Sequence, residues 1–159
     1  SGVIIANSTV SNNSAFYGGG IYCLSPGSPL VEPQSLIIAN CAITGNSAED
    51  SGGALAFNSD NEVLVVNCTL AGNFSPNGRS VACSGYLYQP FPSRIDILNS
   101  IVWDGPCLLW NDDESVITIT YSNTSTGLEG EGNIYLDPMF EDVNQDNYRL
   151  SPCSPSTTG

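Results

Sequence analysis

The sequence contains no lysine and no histidine, and its only cations are Arg79, Arg94 and Arg149. Sixteen acidic residues stand against them, giving a net charge of -13. Three scattered arginines build no basic patch, which excludes nucleic acid, because its binding is dominated by phosphate neutralisation. Anionic lipid surfaces and polyanionic substrates such as pectin are disfavoured on the same ground. Without histidine and without a C-x-x-C pair there is no zinc ligand set, and no cofactor or metal is expected. No stretch approaches the ~20 apolar residues of a membrane-spanning helix, so direct membrane insertion is not expected. Charge of either sign is sparse, at 12% of residues, so the chain is not a disordered acidic tail. Its polarity comes from Asn, Ser, Thr and Gly.

What the sequence does have is a repeat. Leu36–Phe57 reads LIIANCAITGNSAEDSGGALAF: a β-rich run, Asn40-Cys41, a turn signal at Gly45-Asn46, then Gly52-Gly53 and a second apolar run. The pattern recurs from Val3 (VIIANSTV), Val63 (VLVVNCTL) and Ile95 (IDILNSIV), with a degenerate copy, ITITYSN, from Ile117. Successive copies of the Asn position, Asn7, Asn40, Asn67, Asn99 and then Tyr121, are spaced 33, 27, 32 and 22 residues apart. Short β-branched strands recurring at such intervals, with no helical periodicity between them, predict an all-β fold: a right-handed parallel β-helix of about four to five coils. Residues 1–129 form the repeat domain.

Period-two alternation puts Val3 and Ile5, Leu36 and Ile38, Val63 and Val65, and Ile95 and Ile97 on the inner face. Carried one step further, it turns Asn7, Asn40, Asn67 and Asn99 inward, stacked as a ladder at the ~4.8 Å strand spacing. Ser8, Cys41, Cys68 and Ser100 follow, then Val10, Ile43, Leu70 and Val102. The face bearing Asp96, Thr118 and Thr120 is the outer one. Gly18-Gly19 and Gly52-Gly53 mark a corner that needs positive φ or close backbone approach. Leu24–Gln34, with three prolines, and Gly85–Ser93 are expected to protrude. Residues 130–159 are acidic, Pro-rich and without the repeat, and predict an irregular C-terminal cap or linker. Ser1 stands directly before a full-strength strand, as in a processed or excised chain.

The six cysteines, Cys23, Cys41, Cys68, Cys83, Cys107 and Cys153, suit an oxidising compartment, or include small buried apolar residues. Cys41 and Cys68 are expected in adjacent coils, bonded or reduced. At least one disulfide is expected among the other four. Five N-x-S/T sequons occur. Asn12, Asn73 and Asn123 lie at turns and could carry glycans in a eukaryotic source, whereas inward Asn7 and Asn67 could not. Tyr86, Tyr88 and Phe91, with Trp103 and Trp110 one coil later, offer a ligand surface for sugar rings or a protein partner, or fold back over the coil wall. Asp142–Asp146 starts like a calcium loop, but Asn147 replaces its glycine and Cys153 its closing glutamate, which favours a plain turn.

The units NSTVSNNSAFYGGGIYC and NCAITGNSAEDSGGALAF resemble the repeats of right-handed parallel β-helix surface proteins. They are most similar to the GGA(I/L) and FxxN repeat class of chlamydial polymorphic outer-membrane proteins. Gly52-Gly53-Ala54-Leu55 matches the first motif and Gly18-Gly19-Gly20-Ile21 nearly so; the second is carried loosely by Thr44-Gly45-Asn46 and Ala71-Gly72-Asn73. Gly132-Asn133-Ile134, Asp137-Pro138, Phe140 and Tyr148-Arg149-Leu150 are similar to the segment that ends many such helices. The resemblance implies a parallel β-helix used by adhesins, structural proteins and enzymes alike. Polysaccharide lyases and hydrolases with this fold use a basic residue or clustered carboxylates. The acidic groups here, Glu49/Asp50, Asp112/Asp113/Glu114 and Glu141/Asp142, all fall in predicted loops without a cationic partner. The expected function is a non-catalytic extracellular or cell-surface module, structural or adhesive. It joins head to tail in a filament or belongs to a longer parent, with carbohydrate or a host or cell-surface protein as a further partner. The alternative is a carbohydrate-binding or carbohydrate-active β-helix.

Overall fold

The computed structural model describes residues 2–25, 32–84 and 91–157. They form a parallel β-solenoid with almost no helix. The first face holds β1 (Gly2–Ala6), β5 (Gln34–Ala39), β9 (Asn61–Val66), β12 (Arg94–Leu98) and β15 (Val116–Thr120), in that spatial order. The second holds β2 (Thr9–Ser11), β6 (Ala42–Thr44), β10 (Thr69–Ala71), β13 (Ile101–Trp103) and β16 (Asn123–Thr124). The third has four rungs: β4 (Ile21–Leu24), β8 (Leu55–Asn58), β11 (Val81–Ser84) and β14 (Leu109–Asn111). Every pairing between these rungs is parallel. A short fourth ladder pairs β3 (Ser14–Tyr17) with β7 (Ser47–Ser51), a strand pair in stretches that the sequence marks only as turns.

The register makes the columns. Val3, Leu36, Val63, Ile95 and Ile117 lie in one column, and Ile5, Ile38, Val65, Ile97 and Ile119 two residues along in another. With Ile43, Leu70, Val102, Leu55, Phe57 and Val81 these residues, Val3 excepted, fill a single apolar core. Each buried Leu, Ile or Val contributes roughly 1.5–3 kcal/mol.

Asn7, Asn40, Asn67 and Asn99 form one column, but it faces solvent. This corrects the inward placement. All four have left-handed backbone, with φ between 48° and 54°. A left-handed residue breaks period-two alternation: the chain turns the corner between the first two faces there, and the side chain swings out. The following residue, Ser8, Cys41, Cys68 or Ser100, takes the inward place.

The two residues of a Gly-Gly corner are glycine for separate reasons. Gly52 has φ +69°, which L side chains rarely adopt. Gly53 instead lies against the next coil: a Cβ there would sit 2.5 Å from the Arg79 carbonyl oxygen and 2.7 Å from that of Phe74.

The tail is more ordered than an irregular cap. Residues 131–136 lie on the last coil, with the Ile134 N–H donating to the Ser122 carbonyl and the Thr124 N–H to that of Ile134. β17 (Phe140–Asp142) and β18 (Asn147–Leu150) then form an antiparallel hairpin. It folds back along the side of the solenoid, placing the Tyr148 hydroxyl against Gly72.

Gly53→Ala is expected to destabilise the fold by about 1–3 kcal/mol, because only backbone stands in the way of the methyl group. Urea unfolding checks it; a loss no larger than that of an exposed loop substitution would refute the close-approach reading.

Candidate functional site

A second asparagine ladder runs from an exposed first rung into the interior. It comprises Asn13, Asn46 and Asn73 and ends on a carboxylate, Asp104. Ile43 and Leu70 point inward, Gly45 and Gly72 then turn the chain at φ 64° and 69°, and Asn46 and Asn73 re-enter the interior. The Asn13 N–H and amide both donate to Asn46 Oδ1, at 3.1 Å each. The Asn46 N–H and amide donate to Asn73 Oδ1, at 3.0 Å each. The Asn73 N–H and amide donate to Asp104 Oδ1, at 2.7 and 3.2 Å. The second amide hydrogens of Asn46 and Asn73 go to the Val10 and Ile43 carbonyls. The ladder therefore satisfies the buried corner of each coil with the side chain of the next, avoiding roughly 1–3 kcal/mol for each polar group otherwise left bare.

Asp104 is the group that sequence reasoning missed. Its carboxylate also accepts from Ser80 Oγ at 2.5 Å, and the Arg79 guanidinium reaches its backbone carbonyl at 3.4 Å. Burial raises its pKa to about 7, against the pull of Ser80, Asn73 and Arg79. The available signal was positional: Asp104-Gly105 stands where other copies have Gly-Asn, with the order reversed. The cluster is buried: the carboxylate is 4% exposed and its oxygens accept from Asn73 and Ser80.

A third ladder runs one residue past the outward asparagines. The Cys41 N–H donates to Cys68 Sγ at 3.4 Å, the Cys68 N–H to Ser100 Oγ and the Ser100 N–H to Ser122 Oγ, both at 3.1 Å. Each thiol or hydroxyl also donates back to the carbonyl two residues earlier. Cysteine here is a serine-like rung. All six cysteines are free thiols, which corrects the expected disulfide. Cys23 and Cys83 both pair with Phe57, from opposite sides, and so lie two strand spacings apart. That is ~9.6 Å, beyond the ~7 Å Cα limit for bridging. Burial raises the Cys68 pKa to about 11 and that of Cys83 to about 12.

The other candidates are dispersed. Among the turn sequons only Asn12 is exposed. Asn73 and Asn123, at 2% and 3% exposure, are buried, and their amides are taken by the ladder and by Leu136 and Ser156; this corrects both as glycan sites. Asn7 and Asn67, set aside as inward, are the exposed ones. Tyr86 and Tyr88 lie outside the described residues. Trp103 sits on the second face beside Tyr135, with ring centroids 6.0 Å apart, and Trp110 on the third, so the two do not form one surface; Phe91 is half-buried. Asp142 accepts from the Asn144 N–H, and Asp146 is left-handed at φ 53°, both within the hairpin turn. Among the described residues no three or more acidic or cysteine side chains converge on a metal-sized site.

No family model, curated protein or solved structure matches this chain.

Two predictions follow from the buried ladders. In the folded protein Asp104 retains its proton up to about pH 7, whereas its ordinary carboxylate value is 3.8. Between these values the folded state binds more protons than the unfolded, so this group's contribution to stability is full at low pH and is lost as pH rises to about 7. Asp104→Asn is expected to flatten that slope and to raise stability at pH 8 by about 1–3 kcal/mol. Denaturant titrations at several pH values check it; an unchanged slope would refute it. Thiol labelling should modify exposed Cys107 and Cys153 in the native state and reach Cys41, Cys68 and Cys83 only on unfolding.

Proposed function

We propose that this chain is a non-catalytic structural module of an extracellular or cell-surface protein, whose coils are completed by stacking on further coils. The observation that carries this reading is one column. Val3 is 58% exposed, whereas Leu36, Val63 and Ile95, at the same place in the next coils, are 5%, 4% and 0% exposed. The side chain is equally apolar in every coil; what differs is whether another coil lies over it. Phe16, Tyr17 and Leu24 of the first coil are exposed too. An apolar face with open strand edges recruits strands. A longer parent chain supplies the covering coil in one arrangement and a second copy supplies it in the other, giving head-to-tail filaments.

Charge favours contact at this face. The first acidic residue is Glu32, so the first coil carries no charged side chain in a protein of net charge -13. End-to-end contact meets little repulsion, while lateral clumping meets a great deal. The buried Asp104 cluster supports a structural role over a catalytic one. The GGA(I/L)-type motifs support kinship with the polymorphic outer-membrane repeat class, and with it an adhesive use.

Light scattering and electron microscopy of the purified chain test the self-association arm. Mass is expected to rise with concentration, and Val3→Glu is expected to return the protein to monomer. A wild-type chain that stays monomeric at millimolar concentration would overturn self-association.

A further inference from the structure

The outward asparagine ladder ends at a pocket. Asn99 donates an amide hydrogen to Asn67 Oδ1 at 2.6 Å, but the next rung is Tyr121, also left-handed at φ 50°. The ladder amide has no successor, and Asn99 Oδ1 accepts from none of the described residues. Between this rung and the tail lies a cavity of about 240 Å³, lined by Asn99, Tyr121, Asn123, Ile134, Pro155 and Ser156 among others.

Its chemistry is narrow. In a strongly acidic protein, no charged side chain lines it. Tyr121 is half-exposed but fixed, its ring against Gly132 and its hydroxyl bonded to Glu131. Ile134 and Pro155 add apolar wall. Asn123 is already saturated by Leu136 and Ser156, so among the described residues the polar groups left to a ligand are Asn99 Oδ1, the second Asn99 amide hydrogen and the Ser156 hydroxyl hydrogen. A rigid aromatic ring, two apolar neighbours and a neutral donor–acceptor amide match a molecule with C–H faces and hydroxyl edges. We propose that this pocket binds a single neutral sugar ring, held against Tyr121 and hydrogen-bonded to Asn99. This site is independent of coil stacking and requires no catalysis.

The test is an NMR titration of the whole chain with glucose, galactose, N-acetylglucosamine and glucuronate. At least one neutral sugar is expected to bind in the millimolar range, shifting Asn99, Tyr121 and Ser156 resonances, with glucuronate at least fivefold weaker. Asn99→Ala is expected to weaken binding at least fivefold. Tyr121→Phe, which keeps the ring, is expected to retain it, and unchanged dispersion in both spectra verifies folding. Absence of saturable shifts with all three neutral sugars, shifts centred elsewhere, or equal binding of glucuronate would overturn the proposal.

Discussion

Everything in this solenoid depends on parallel, in-register stacking of one coil on the next. Once β1 pairs with β5 and β5 with β9, residue by residue, each side chain has its counterpart ~4.8 Å above and below. A residue is then acceptable only if it can live beside a copy of itself. Aliphatic side chains meet that condition by packing, and asparagine meets it by donating up and accepting down.

The two asparagine ladders show how this condition separates interior from surface. The outward ladder sits on left-handed residues at the first corner, and its amide bonds lie in water, where each is worth little. In the inward ladder Asn46 and Asn73 each follow a left-handed glycine at the second corner, and their bonds satisfy groups that cannot reach water. The same residue type therefore has two energetic roles, set by whether it is the left-handed residue or the one after it. Asp104 shows the limit of the scheme: a carboxylate can accept from the rung before it but, when ionised, cannot donate onward, so it terminates the ladder and brings a titration into the interior.

The cysteine–serine column follows the same logic. The Cys68 thiol accepts an N–H from one coil and donates to a carbonyl of its own, as the Ser100 and Ser122 hydroxyls do. Oxidising compartment and core packing both explain an abundance of cysteine; buried Cys41, Cys68 and Cys83 show the second use, and exposed Cys107 and Cys153 do not.

The sequence by itself determined the solenoid. The repeated Asn position, the Gly-Gly corners and the β-branched runs gave strand locations, register and core columns, because stacked coils must repeat their chemistry and the repeat is visible in one dimension. It also placed Asn40 in a stacked column, but it marked Gly45-Asn46 only as a turn. Only the tertiary structure showed that Asn46 and Asn73 form a second ladder and that this one, not the first, is inside. Period-two alternation holds along extended backbone and fails at positive φ, and nothing in Ala39-Asn40-Cys41 states the sign of φ. The tail's return to Gly72, the closure of Asp104 by Ser80, and the pocket beside Asn99 were likewise invisible in the sequence. Each joins residues twenty or more positions apart whose meeting is set by how the chain folds back on the finished coils, not by any local pattern.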